Sequence, residues 1–354
     1  MSAYQPLLVR YRDFLPMDAE TPILSLGEGS TPLVHAPNLA KQIGVAELWL
    51  KCESMNPTGS FKDRGMVLAV AKAKQAGAKC IMCASTGNTS SSAAAYARRA
   101  GLTAIVALPA GNVSMSKMAQ TLMYGAKLLP VDGNFDAAMR LVREITDKLP
   151  IALVNSANPI RLEGQTTGAY EIVDDLGFVP DGVCLPIGNA GNLPAYWTGF
   201  KRYQEAGKSK GLPRMLGFEA EGCNAIMRGV PIENPETIAT AIRVGNPVSW
   251  KKAEAARDES KGIIDCVSDP EILAMWRDLA NVEGVFCEPA SAAGVAGLKK
   301  MVAAGRSDKN GKYVAILTGH GLKDADNAKK AVGEVPAAVK AEFGAVRGWL
   351  ESHL

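Results

Sequence analysis

From residue 80 onward the chain repeats one unit: a short apolar run, a turn, then an amphipathic helix. Apolar runs occur at 80–84, 104–108, 126–131 and 151–154, and helical stretches separate them. In the last interval Ala138, Leu141, Val142, Ile145 and Leu149 follow the i, i+3, i+4, i+7, i+11 spacing of one helix face. Lys148 and Pro150 suit the end of that helix. A second series supplies candidate strands at 183–186, 215–220 and 314–318, and 48–51 reads as an earlier one. Strands that alternate with helices pair in parallel, because only a crossover helix returns the chain in the same direction. The pattern predicts an α/β protein of two βα domains with twisted, mainly parallel sheets. Glycine-rich turns after such strands are where α/β proteins bind ligands, and glycine and proline cluster at 27–32, 188–192 and 319–321.

Composition removes several function classes. Among 354 residues, 47% are apolar and 21% charged, which suits a soluble chain with a real core. A net charge of +3, without a basic cluster interleaved with aromatics, gives no nucleic-acid footprint. No apolar run is long enough to span a bilayer, and the N-terminus lacks the apolar core of a secretory signal. Seven scattered cysteines suit free thiols in a reducing compartment, so a cytoplasmic location is expected. Cys80 and Cys83 form a C-x-x-C, but both sit in a strand-like run where residues three apart face opposite ways. Three histidines without a cysteine cluster argue against a metal site.

Four segments carry chemistry. In 56-NPTGSFKDRG-65 a turn precedes a helix, with Ser60 as a candidate N-cap. Lys62 then lies near the positive end of the helix dipole, which favours a neutral, nucleophilic amine. The plainer alternative is a surface lysine. The segment 85-STGNTS-90 follows a strand and opens an alanine-rich helix, placing hydroxyls, a glycine and an amide at a helix N-terminus. A helix cap alone needs one such residue. In 188-GNAGN-192, two glycines three apart let backbone N–H groups approach a phosphate, although tight turns also use Gly and Asn. In 317-LTGHG-321, Thr318 can exchange a hydrogen bond at the carboxyl edge of the sheet.

In this order and spacing the four segments resemble the fold type II pyridoxal-phosphate enzymes, the tryptophan synthase β family, and within it the threonine synthases. The similarity runs from about residue 21 to about residue 324. It implies that Lys62 carries pyridoxal 5'-phosphate as a Schiff base, with Phe61 near the ring. It also implies that Asn88 bonds the ring's phenolic oxygen, that Gly188, Asn189, Ala190, Gly191 and Asn192 hold the cofactor phosphate, and that Thr318 faces the pyridine nitrogen. Ser85, Thr86 and Thr89 would hold the substrate carboxylate. A hydroxyl partner leaves the ring nitrogen largely unprotonated and the ring a weaker electron sink.

The family's dehydratases have a histidine where this chain has Thr89. The segment 155-NSANPIRLEGQ-165 is similar to one that binds substrate phosphate, implying Asn155, Ser156 and Arg161 as ligands. Arg161 suits a phosphate dianion because its fork bonds two oxygens, whereas an ion pair with Glu163 would make it structural. In 111-GNVSMSKMAQ-120, Lys117 keeps one lysine of an expected pair and Asn112 replaces the other. Glu288 reads as a helix-start acid that could also line the site. The implied reaction converts O-phospho-L-homoserine and water to L-threonine and phosphate. Alternatives are a serine/threonine dehydratase on the same fold and a catalytically silent regulator that binds the cofactor or amino acids. The expected form is a homodimer. Its smaller domain would span 62–160, its larger one 1–61 and 161–354, with the cofactor in the cleft between them.

Overall fold

A computed structural model describes residues 4–110, 115–133, 135–156, 158–332 and 337–354. Ten strands among them form two sheets. In chain order they are β1 (Leu33–His35), β2 (Glu47–Lys51), β3 (Cys80–Ala84), β4 (Thr103–Pro109), β5 (Lys127–Val131) and β6 (Ile151–Leu153), followed by β7 (Gly182–Pro186), β8 (Arg214–Ala220), β9 (Ile263–Val267) and β10 (Lys312–Ile316). The larger sheet has the order β1-β2-β10-β7-β8-β9 and the smaller β5-β4-β3-β6. Every pairing is parallel except β1 with β2.

Burial explains why these runs became strands. All five residues of β7 are buried, because helices cover both faces of a central parallel strand. Leu48, Leu50, Val183, Leu185, Val314 and Ile316 fill the middle of the larger sheet. On the smaller sheet Met82 and Ala84 pack against Ala138 and Val142 of the helix Phe135–Lys148. That helix ends one residue before Leu149, which is exposed, so the last position of the expected apolar face drops out. The strand expected at 314–318 stops at Ile316, and Thr318 lies just beyond it. β1 and β9 were not expected from the sequence.

Each sheet reverses direction once, and there ligands bind in open α/β folds. In the smaller sheet β3 is followed by β4 and β5 on one side, and β6 returns on the other. In the larger, β7 leads to β8 and β9, while β10 returns between β2 and β7. The carboxyl ends of β2, β3, β6, β7 and β10 therefore present the segments 52–61, 85–89, 154–156, 187–192 and 317–321.

Two helices meet almost backbone to backbone behind this edge. A Cβ on Gly65 would run into the carbonyl of Arg161, and one on Gly164 into the carbonyl of Arg64. Only glycines allow the helices Lys62–Gln75 and Pro159–Gln165 so close together, and the contact sets the starts of both beside each other.

Candidate active site

Lys62 is the first residue of its helix, at the positive end of the dipole. Phe61, not Ser60, holds the N-cap position and makes no side-chain cap bond. The Ser60 hydroxyl is buried without a partner. Asp63 stabilises the turn instead, because its carboxylate accepts from the Thr58 N–H (2.7 Å), the Thr58 hydroxyl (2.6 Å) and the Ser92 hydroxyl (2.6 Å). Backbone bonds from Phe61 N to Thr318 O (3.0 Å) and from His320 N to Gly59 O (2.9 Å) lock this turn to the end of β10. Lys62 and Thr318 are thus held at a fixed separation.

The Lys62 stem is half-buried along the cleft wall, and its amine stands 4.1 Å from the centre of the Phe61 ring. Burial pushes its pKa down from 10.5 to about 7; the Arg161 guanidinium adds to the shift and Glu288 opposes it. Near neutrality the amine is therefore available both as base and as acid.

Arg161 is fully buried near the start of a helix capped by Asn158, whose side chain accepts from Ile160 N (2.9 Å). Its guanidinium gives one hydrogen bond, from Nη1 to Val154 O (3.2 Å), and its Nε–H has no partner. Among the described residues no carboxylate pairs with it. Glu163 pairs with Arg202 instead, so the structural ion pair with Arg161 is absent. Burial lowers the Arg161 pKa to about 10. An unpaired buried cation of this kind is costly unless it meets an anion.

Asn155 grips the end of β3 through both amide atoms, accepting from Ala84 N (2.9 Å) and donating to Ala84 O (2.9 Å). It thereby orients the segment Ser85–Thr89, leaving its second N–H without a partner among the described residues. Asn88 begins the helix Asn88–Ala100, so it lies inside the helix that the segment 85–90 opens. At 188–192 a turn leads into the helix Asn192–Glu205, and Ala190 adopts a left-handed φ of 60°. A non-glycine residue there costs roughly 1–2 kcal/mol, a strain typical of functional loops. Both amide atoms of Asn192 are buried without partners, beside the free N–H groups of the helix start.

One cleft of about 1750 Å³ collects these groups. Phe61, Lys62, Ser85, Thr86, Asn88, Thr89, Asn155, Ser156, Arg161, the whole 188–192 turn and Thr318 all line it. Its volume exceeds that of an ordinary single-ligand pocket and leaves room for a cofactor and a substrate together. Asn112 and the side chain of Lys117 lie outside the described residues. The cysteines are free thiols, and Cys80 and Cys83 belong to β3 as a strand pair facing opposite ways. Among the described residues no cluster of metal-ligating side chains occurs.

Two cleft residues were underrated or missed in the sequence. Glu288 stands at the N-cap of the helix Pro289–Ala303 but makes no cap bond. Its buried carboxylate accepts from Asn88 Nδ2 (3.0 Å) and from the Thr318 hydroxyl (3.0 Å). Lys323 sends its amine to Thr58 O (3.1 Å), Ser91 Oγ (2.9 Å) and the Gln120 amide oxygen. Only the tertiary placement of 287–291 and 321–324 reveals either role.

The residues fit pyridoxal phosphate: a desolvated amine for its aldehyde, unpartnered amides and a helix N-terminus for its phosphate, and a hydroxyl and an amide for the two polar positions of its ring.

The model of a family described as pyridoxal-phosphate dependent enzyme matches residues 24–319. A threonine synthase of Halalkalibacterium halodurans is 56% identical over 339 residues, covering 96% of this chain and 95% of its own. One from Synechocystis is 53% identical, with 96% and 89% covered, and one from Methanocaldococcus jannaschii 47% identical, with 96% and 85% covered. Among solved structures, maize serine racemase superposes with a TM-score of 0.72 at 19% identity, covering 98% of this chain and 95% of that one. Diaminopropionate ammonia lyase of Escherichia coli does so with a TM-score of 0.73 at 18% identity, covering 92% and 90%. At those identities the structural likeness speaks for the fold alone.

Proposed function

The chain belongs to the pyridoxal-phosphate-dependent enzyme family, and from that premise we propose that it converts O-phospho-L-homoserine and water to L-threonine and phosphate. The observation that carries this reading is Arg161, a buried guanidinium with no carboxylate partner among the described residues, beside Lys62 in the cleft. A dehydratase acting on free serine or threonine has no second anion to put there. The high identity to threonine synthases supports the same choice.

When bound, the cofactor supplies an electron sink for negative charge developing on the substrate carbons. Lys62 would hold it through its amine, and the same amine would take the α-proton of the substrate. With a pKa near neutrality it then manages the proton at the β-carbon as the γ-phosphate leaves. Phe61 packs beside the amine. Ser85, Thr86 and Thr89 hold the substrate carboxylate at the helix start, and Asn88 and Thr318 address the ring. The turn Gly188–Asn189–Ala190–Gly191–Asn192 takes the cofactor phosphate. Arg161, Ser156, Lys117 and the remaining N–H of Asn155 take the substrate phosphate.

Two domains, 62–160 and 1–61 with 161–354, would close over the substrate and exclude water other than the reactant. Seven free thiols support a reducing, cytoplasmic setting. No helix among the described residues is long and apolar enough to cross a membrane. Exposed Phe343, Val346, Trp349 and Leu350 on the helix Phe343–His353 support self-association as a homodimer.

A substrate panel tests the reaction. The holoenzyme should release phosphate and threonine in equal amounts from O-phospho-L-homoserine. It should form little 2-oxo acid from serine or threonine. A preference for unphosphorylated threonine would make it a dehydratase, and no turnover of either would leave the silent regulator.

A further inference from the structure

Glu288 lies where two elements from different sheets meet. Its Oε2 accepts from Asn88, at the start of the helix after β3, and its Oε1 accepts from Thr318, just beyond β10. Behind Thr318 the bonds continue: Ser291 Oγ is 3.0 Å from Thr318 Oγ1 and accepts from Gly319 N (3.2 Å). Glu288, Ser291 and Thr318 are all buried. The arrangement leaves no slack at Gly319, where a Cβ would sit 2.5 Å from the Glu288 carboxyl carbon.

A hydroxyl has one proton, and that fixes the polarity of the row. With Glu288 ionised, the Thr318 proton goes to the carboxylate, so Ser291 must donate to Thr318 and accept from Gly319. Thr318 is then left with a lone pair to offer. When Glu288 carries a proton it can donate to Thr318, whose own proton is freed to point elsewhere. The ionisation of the carboxyl and the direction of the Thr318 hydroxyl are one coupled state.

We propose that Glu288 is a positioning residue that decides whether Thr318 offers the cofactor ring nitrogen a lone pair or a proton. The proposal rests on the reading that Thr318 meets that nitrogen. An ionised Glu288 favours a protonated nitrogen and a strong electron sink, and a neutral one favours the weaker sink. This reverses the simple expectation that a threonine partner leaves the nitrogen unprotonated, because the threonine proton is already engaged. The charged groups facing Glu288 are Lys62, at its helix start, and Lys323, after β10; Cys287 precedes it in its own segment. The helix at Asn88 and the turn at Thr318 contribute uncharged donors. Burial pushes the Glu288 pKa up, and Asn88, Thr318 and the two lysines oppose that rise, so the same contacts that orient the carboxyl also set the balance between its charged and neutral forms.

The test uses holoenzyme loaded with cofactor labelled with ¹⁵N in the ring, because the nitrogen shift reports protonation without turnover. Wild type should show a pH-dependent shift. Glu288→Gln is neutral at every pH and can donate to Thr318 while accepting from Asn88, so its ring nitrogen should stay unprotonated throughout. Its α-proton abstraction should slow by about ten-fold, as expected for one buried charge-assisted bond. Ser291→Ala, a small change that leaves the charge in place, should move the titration less than Glu288→Gln does, and it serves if the Gln variant does not fold. Thr318→Val separates the two levels of the argument. If it leaves the nitrogen shift unchanged, Thr318 is not the ring partner and the underlying reading fails. If it moves the shift while Glu288→Gln and Ser291→Ala both match wild type, Thr318 stands and this proposal is overturned.

Discussion

Arg64 and Arg161 are both buried, lie on facing helices and press their backbones together at Gly164 and Gly65, yet their surroundings are opposite. Arg64 meets Glu53 through Nε (2.6 Å) and Nη2 (2.7 Å), Glu171 through Nη1 (2.8 Å) and Nη2 (2.6 Å), and the hydroxyls of Thr31 and Thr167. Lys51 joins the cluster at 3.0 Å from Glu171. Burial would lower the Arg64 pKa, but Glu171 and Glu53 outweigh it and hold the pKa well above its ordinary value. Burial likewise raises Glu171, and Arg64 and Lys51 more than reverse it. Among the described residues Arg161 has one carbonyl and no acid. A guanidinium whose donors are used up within the protein holds a fold together. One whose donors are left open is ready for a ligand, and burial makes that readiness strong.

The first way to break the comparison is to remove the closed side. Arg64→Met leaves Glu53 buried without its cation and Glu171 with Lys51 alone, and stability should fall by about 3–5 kcal/mol. Urea denaturation should show a lower midpoint with an unchanged slope. The same cluster supports the start of the Lys62 helix, so turnover should fall wherever unfolding sets in. A loss under about 1 kcal/mol would mean that the carboxylates find other partners and that the cluster is not what fixes this helix.

Removing the open side should act on chemistry. Arg161→Met should reduce kcat/KM for O-phospho-L-homoserine by about one to two decades, the worth of a charge-assisted bond to phosphate. Any slow deamination of serine or threonine should fall far less, since only the shift in the Lys62 pKa reaches it, and stability should not fall. Equal losses on both substrate classes would make Arg161 structural after all. The substitution also reports on Lys62, whose pKa Arg161 helps to depress. Cofactor capture by the cofactor-free protein needs the neutral amine, so its rate should rise with pH through about 7 and that midpoint should move higher in Arg161→Met. Linkage gives a matching sign. Between about 7 and 10.5 the unfolded chain keeps a proton that folded Lys62 has released, so stability of the cofactor-free protein should rise with pH across that window. A flat profile there would mean that the amine is not desolvated.

The contrast between the arginines was half legible in the sequence. Buried parallel strands read as unbroken apolar runs, so β7 and its neighbours stood out. β9 did not, because Asp265 interrupts it to bond Arg306 (2.7 Å), and β1 has only three residues. Lys62, Asn88, the 188–192 turn and Thr318 each sit in a short contiguous segment between a strand and the next helix, and it was the resemblance of those segments to the family's that singled them out. Arg64 shows nothing locally, since its partners come from positions 31, 53, 167 and 171. Glu288 looked like a helix-start acid because sequence shows the helix it begins, not that its side chain turns toward Asn88 and Thr318. Arg161 stood in between: its segment suggested a phosphate ligand, and Glu163 two residues on offered an equally local alternative.

That alternative yields the smallest predicted effect and the sharpest control. Glu163 pairs with Arg202, and both side chains are about one-third exposed. Water screens such a pair and both side chains lose freedom in forming it, so it contributes about 0.2–1 kcal/mol. Glu163→Gln should therefore lower the urea midpoint only slightly, and Arg202→Gln should lower it by a similar amount, with the double variant showing the loss of one shared interaction. Neither should change the preference for phosphorylated over unphosphorylated substrate, because the Arg161 guanidinium does not depend on this carboxylate. Should Glu163→Gln instead weaken phosphate selectivity as Arg161→Met does, the acid would have to reach Arg161 in the working enzyme. The open arginine would then be a closed one, and the difference between the two sites would vanish.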